Sequence, residues 1–231
     1  MPSTSSPDAA AGPRDRLVAA ALTVLEREGP AAIQARTLAR EIDASTMAVY
    51  TNFGGMPGLI DAMLREGLTR FADRVRGVAH TDDPMADLIA GGLAYGEFAL
   101  QNPQLYRVLF GLSDLGRAYQ LPPGATTPWD LAEGEDALSV MVDAVERVIT
   151  AGRIRPQEPR PAASQILSAT HGFVLLAMTG FIDADDAQQV MTSLAVHLVV
   201  GLGDSRRRAE RSLAAALDAR AEAAKHGSGD R

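Results

Sequence analysis

Residues 39–53, Ala-Arg-Glu-Ile-Asp-Ala-Ser-Thr-Met-Ala-Val-Tyr-Thr-Asn-Phe, constrain the fold of this chain more tightly than any other stretch. Leu38, Ala39 and Ile42 recur at helical spacing, which predicts a short helix over 34–42 that buries one stripe. Asp43-Ala44-Ser45 interrupts it. Asp tolerates the left-handed conformation better than most residues, and the Ser45 hydroxyl is placed to cap a following helix by accepting a backbone N–H. That second helix, over 45–52, turns Ala48, Val49 and Phe53 inward and leaves Thr46, Met47, Tyr50, Thr51 and Asn52 outside. Two short helices across a three-residue turn, the second with a polar and aromatic outer face, predict a helix-turn-helix.

The rest of the chain is also written for helices. Hydrophobic residues make up 46% and aromatics only 5%, so the core is one of Ala, Leu and Val, and no segment shows the alternation a strand needs. The expected class is all-α. Leu17, Val18, Ala21, Leu22 and Leu25 predict a first helix over 14–28, ended by Gly29-Pro30. Pro57 suits the first turn of a long fourth helix that keeps Ile60, Met63, Leu64, Leu68, Phe71 and Val75 on one face. Further helices follow over 84–101, 103–110, 133–151, 162–180 and 184–200, and the periodicity fails between 111 and 131, which reads as a long loop with Trp129 tucked against the body. A charged helix over 204–225, with little beyond Leu213 and Leu217 to bury, closes the chain. The expected division is a disordered arm over 1–13, a reading head over 14–60, a body over 61–203 and a C-terminal helix and tail over 204–231.

Several function classes find no support. There is no cysteine, hence no disulfide framework or thiolate metal site. The four histidines share no ligand spacing, no nucleophile–base pair is visible, and no glycine-rich dinucleotide loop occurs, so neither metal, cofactor nor catalytic residue is expected. The Ser- and Pro-rich start is not a signal peptide, and the apolar run 172–182 is too short to span a bilayer. A cytoplasmic, non-enzymatic protein is the expectation. The net charge of −7, with Lys225 the only lysine, means that contacts to a polyanion must come from Arg, hydroxyls or backbone N–H groups.

The pattern Ala39, then Ser45-Thr46, then Val49-Tyr50-x-x-Phe53, with Gly54-Gly55-Met56-Pro57-Gly58-Leu59 opening a long helix, resembles the DNA-binding signature of TetR-family (tetracycline-repressor-like) transcriptional regulators. Asn102-Pro103-x-Leu105-Tyr106-Arg107-x-Leu109-Phe110 together with Leu167-x-x-x-His171-Gly172 is similar to the body of an actinobacterial-type subgroup. Three departures stand out: Asp43 where the family usually has Gly, Gln34 where it has Ser or Thr, and Met56 where it has Lys beside the DNA backbone.

The resemblance implies a homodimeric one-component regulator, a repressor of a neighbouring operon, whose two heads enter successive major grooves of a pseudo-palindromic operator in double-stranded DNA. It implies DNA contacts at Arg36, Thr37, Ser45, Thr46, Met47, Tyr50, Thr51 and Asn52, with Tyr50 on a phosphate and Arg36 at a base. An apolar or amphipathic small-molecule effector is expected among Tyr95, Phe98, Tyr106, Phe110, Met141, His171 and Leu175, since pockets combine apolar walls with few polar groups. His171 reads equally as a core histidine satisfied by one hydrogen bond. The helices over 162–180 and 184–200 are apolar on more than one face, which points to a dimer interface through Ile166, Leu167, Val174, Leu194 and Leu198. The rival reading is an all-α small-molecule carrier or enzyme that keeps a vestigial head.

Overall fold

A computed structural model describes residues 12–119 and 121–227. They form helices α1 (Pro13–Glu28), α2 (Ala35–Glu41), α3 (Met47–Phe53), α4 (Met56–Arg76), α5 (Pro84–Gln101), α6 (Pro103–Leu109), α7 (Asp114–Ala118), α8 (Ala132–Thr150), α9 (Pro159–Met178), α10 (Ala184–Leu202) and α11 (Arg206–Gly227). No strand occurs among the described residues, so the all-α class holds. No described helix is long and apolar enough to cross a membrane. The arm expected over 1–13 lies outside the described residues except for Gly12 and Pro13, and Pro13 already opens α1. The tail beyond Gly227 also lies outside them.

Two compact units divide the chain, one built up to Arg70 together with Asn102–Glu135, the other from Phe71–Gln101 together with Asp136 onward. This cut differs from the expected boundary at 60/61, because 102–135 packs with the head.

In the first unit Leu17, Leu22 and Leu25 of α1 meet Leu38 and Ala39 of α2 and Val49 of α3, all buried. Polar anchors attach the later segment. The Glu26 carboxylate on α1 accepts from the backbone N–H groups of Gln104 and Leu105 at 3.2 and 2.7 Å, which ties the start of α6 to α1. Arg65 on α4 bridges Asp61 and Glu133 at 2.8 and 2.7 Å, and Tyr119 donates its hydroxyl to Asp61.

The expected loop over 111–131 is thus a correction. It holds α7, capped by the Ser113 hydroxyl accepting from Gly116 N–H at 3.1 Å, and a 3-10 turn Pro128–Asp130. A helix of five residues makes too few turns to show a periodic stripe. Trp129 is tucked in, its ring 4.9 Å from that of Phe110. The Asp130 carboxyl is pulled down to about 2, first by the Thr126 N–H and then by the Thr126 hydroxyl and Thr127 N–H.

The second unit is centred on α5, whose Met85, Leu88, Ile89 and Leu93 share a buried cluster with Val145 and Val148 of α8, Ala162 and Ala163 of α9, and Val196 and Val199 of α10. α11 joins the same cluster through Ala209 and Ala216, with Ser212 buried between them. Its inner face is small residues, with Leu213 and Leu217 only partly buried beside them. A polar knot fixes the helix ends. Arg153 donates to Asp83, Asp204 and Ser212 at 2.5, 2.7 and 2.9 Å, and the Ser212 hydroxyl donates to Asp83 at 2.6 Å. Asp83 also caps α5 by accepting from Met85 N–H at 3.1 Å.

The residues expected at a dimer interface differ in burial within this chain. Val174 is fully buried within its own protomer, and Ile166, Leu194 and Leu198 line a hollow inside the second unit. Leu167 is half-buried. The large apolar side chains left exposed around α9 and α10 are Leu176, Phe181 and Val190.

Candidate functional site

Two features carry chemistry, and the first is the outer face of α3. The turn that aims it is built on Asp43 at φ 52, a left-handed residue that is not glycine. Asp43 N–H donates to Arg40 O at 3.3 Å and Ala44 N–H to Ala39 O at 2.8 Å, the paired bonds that close a helix on a left-handed residue. Arg16 adds a side-chain bond to Ile42 O at 2.8 Å.

The far end of α3 is held by contact. A Cβ added at Gly58 would lie 2.1 Å from Phe53 O, so only glycine lets α4 start this close to the end of α3. The Arg14 guanidinium sits over the Phe53 ring at 5.2 Å.

With both ends fixed, Val49 is fully buried while Met47 is 62% and Tyr50 55% exposed. Ser45, Thr46 and Thr51 are exposed beside them. The structure places Arg36 exposed in the first turn of α2, with Thr37 half-buried next to it. Asn52 is half-buried, and its Nδ2 donates to Ala48 O at 2.8 Å, which commits one of its two N–H donors to its own helix. Ser45 does not cap α3: the residue preceding the helix is Thr46 in helical conformation, and no side chain caps it. The first turn closes instead through Ala48 N–H to Ser45 O at 2.9 Å, which leaves the Ser45 and Thr46 hydroxyls unused by the cap.

Local charge is kinder to a polyanion than the total suggests. Arg27 holds Glu41 through two bonds of 2.8 and 3.0 Å, and this hydrogen bond, ahead of the opposing burial, keeps the Glu41 carboxyl below its usual range. One of the two acids beside the reading helices is thereby neutralised, while Arg36 and Arg40 stay exposed.

The second feature is a cavity of about 170 Å³ in the second unit, between the end of α4, α5, α8 and α9. Its apolar wall includes Val75, Leu88, Val140, Met141 and Ile166; Tyr95 and Thr170 add hydroxyls, and Arg76, His80, Asp143 and Arg147 stand around it. A smaller hollow of about 40 Å³ shares Leu88, Gly92, Ile166 and Thr170 with it and continues to Met191, Leu194 and Leu198.

Of the effector residues expected from sequence, Tyr95 and Met141 line this cavity. Phe98 is packed edge-on against Phe71 at 5.4 Å, as Tyr95 is at 5.1 Å. His171 is not in the lining; its Nδ1 lies 3.4 Å from the Tyr95 hydroxyl, and burial lowers its pKa. Leu175 is half-buried and off the lining. Tyr106 and Phe110 belong to the first unit, stacked on each other at 4.5 Å, and do not join the set. Sequence reasoning missed Thr170, Arg147 and the pair Gly91-Gly92, and it gave Ile166 to a dimer interface. The glycine pair in mid-helix was the available signal.

Residues 88–199 match the tetracyclin repressor-like C-terminal domain. An uncharacterized helix-turn-helix-type transcriptional regulator of Mycobacterium tuberculosis is 27% identical over 192 residues, which cover 82% of this chain and 81% of the relative. Among solved structures, a protein of unknown function from Rhodococcus sp. RHA1 has a TM-score of 0.72 at 25% identity, over 87% of this chain and 100% of that one. SmeT, the repressor of the Stenotrophomonas maltophilia multidrug efflux pump SmeDEF, shares the fold with a TM-score of 0.59 at 18% identity, over 84% of this chain and 91% of its own.

Proposed function

We propose that this chain is a TetR-family transcriptional regulator, a one-component repressor that binds double-stranded operator DNA and releases it when a small molecule occupies the second unit. The observation that carries the reading is the outer face of α3. Thr46, Met47, Tyr50 and Thr51 project together from a helix fixed by the Asp43 turn at one end and the Gly58 contact at the other. Exposing a methionine and a tyrosine side by side is costly unless a surface covers them, and the methyl groups and phosphates of a major groove are such a surface. Tyr50 and Ser45 serve as phosphate donors, Arg36 and Thr37 reach toward bases at the edge, and Met47 meets a thymine methyl. Two heads in a homodimer read the two halves of a pseudo-palindrome. The protein acts in the cytoplasm and catalyses no reaction.

The effector works through its differential affinity for the DNA-bound and DNA-free conformations, since a ligand that binds both equally shifts nothing. The test is selection of binding sites from random DNA with wild type, Tyr50→Phe and Arg36→Ala. Loss of a phosphate bond weakens all sequences alike, whereas loss of a base contact costs about 1–3 kcal/mol and relaxes one position per half-site. Failure of the wild type to enrich any motif at low salt overturns the reading and favours the carrier.

A further inference from the structure

The cavity of the second unit carries a shape and a charge that choose among effectors, an inference that rests on reading that cavity as the effector site. Its shape comes from α5. A Cβ added at Gly92 would meet nothing within 4 Å, and one at Gly91 would meet only Val75 Cγ1 at 3.7 Å. Two glycines in the middle of a helix that is otherwise buried are poor helix formers and leave a groove where side chains would stand. Gly92 borders both hollows, which also share Leu88, Ile166 and Thr170 in their linings. An apolar body lying along Gly92 in the first hollow therefore borders the second, which extends to Leu194 and Leu198.

The charge is set at the mouth. Arg147 donates to Asp87 at 2.8 Å, and the Asp87 side chain, 5% exposed, also takes the Thr81 N–H and hydroxyl, so this pair is neutral and saturated on the acid. Arg76 lies between Asp73 and Asp136 at 2.8 and 2.7 Å, two acids to one base. Asp143, one turn from Arg147 on α8, has no hydrogen bond or ion pair among the described residues. Among the lining side chains Arg76 and Arg147 balance Asp87 and Asp143, but both guanidiniums are already held by carboxylates, so Asp143 is the lining charge left without a partner among the described residues. An anionic head would find no unengaged cation there, while a cation would find Asp143 unspent.

We propose that the effector is an elongated amphiphile with one cationic head, an ammonium or protonated amine. The head pairs with Asp143 at the mouth, the apolar body lies along Gly91 and Gly92, and the far end enters the hollow beside Leu194 and Leu198.

The experiment uses the full chain and three probes with one body: 6-phenylhexyltrimethylammonium, 6-phenylhexanol and 6-phenylhexanoate, titrated by calorimetry. The ammonium should bind tightest, by about fivefold over the alcohol, the scale of a partly exposed ion pair, and the carboxylate weakest. Asp143→Asn should bring the ammonium down to the alcohol and leave the alcohol unchanged. Gly92→Leu should weaken all three, and the milder Gly92→Ala, whose methyl has room, should weaken them in the same order by less. Carboxylate as the tightest probe, a cation preference that survives Asp143→Asn, or no binding of any probe overturns the proposal. DNA retention is scored separately by gel shift without probe. Protein that holds its operator but prefers the carboxylate loses only this proposal; protein that takes the ammonium but selects no DNA loses only the regulator reading.

Discussion

Arg153→Met should destabilise the second unit by about 3 kcal/mol, the lower end of what breaking a buried ion pair costs. Arg153 is 8% exposed and donates to Asp83, Asp204 and Ser212, while the Asp204 side chain is fully buried. Methionine fills the volume of the side chain and removes the cation, which leaves the Asp83 and Asp204 carboxylates without the guanidinium they share. Partial compensation keeps the figure at the lower end: Ser205 N–H still donates to Asp204 at 2.8 Å, and Arg208 lies 3.8 Å away.

The same cluster predicts a pH dependence. Burial works to raise the Asp83 pKa, but the Ser212 hydroxyl, the Ala86 N–H and Arg153 outweigh it, so the folded carboxyl titrates below its unfolded value of 3.8. A carboxyl depressed in the folded state contributes stability that is complete above the unfolded value and is lost as pH falls through the folded one. The gap between wild type and Arg153→Met should be full at neutral pH and shrink below about pH 4. Urea denaturation followed by circular dichroism, extrapolated to water at both pH values, reads it. A loss under about 1 kcal/mol at neutral pH, or a gap that widens in acid, would refute the argument that Arg153 is the counter-charge of this knot.

Asp43→Ala should cost about 1 kcal/mol, because alanine takes the left-handed conformation without the local hydrogen bonding Asp offers, whereas Asp43→Gly should be neutral or stabilising; equal melting temperatures for all three would show the turn to be unconstrained. Phe181→Glu combined with Val190→Glu should convert a dimer into monomers in light scattering, since Phe181 is 78% and Val190 39% exposed around α9 and α10; an unchanged dimer puts the interface elsewhere. Met56→Lys should steepen the log–log salt dependence of DNA binding by about 0.9 per protomer on operator and random DNA alike; weaker binding with an unchanged slope means that Met56 packs inward and meets no phosphate.

The parts of the fold that were legible in the sequence are those where a side chain repeats. The stripes of α1, α4, α5 and α8 run through several turns each, and one face is all that a helix needs to declare itself. The Asp43 turn was legible for a related reason: few residues accept φ above zero, so an Asp between two short helices has a narrow meaning. What stayed hidden depends on contacts between distant positions. Glu26 takes the N–H groups of residues 78 and 79 places later in the chain, and no local pattern marks either partner. The inner face of α11 was missed because Ala209, Ser212 and Ala216 read as filler on a charged helix, although small residues are what close packing on α5 requires.

The site was legible in halves. For the reading head, the sequence names the exposed residues by exclusion: once Val49 is buried, the other side of α3 has to face outward. No such exclusion works for the cavity, because a cavity is made by side chains that are missing. Met141 and Tyr95 could be found as apolar and aromatic members of a stripe, but the groove itself is Gly91 and Gly92, which contribute nothing to any stripe. The excess apolarity of α9 and α10 has the same ambiguity. A helix apolar on two faces needs two apolar neighbours, and an interior hollow satisfies that need as well as a partner subunit does. Ile166, Leu194 and Leu198 border such a hollow while staying half-buried, and the most exposed apolar side chains, Leu176, Phe181 and Val190, lie toward the turn between the two helices. Hydropathy counts how much of a helix must leave water; whether it leaves for a core, a cavity or a partner is decided by the neighbours, and those are set by residues far away in the chain.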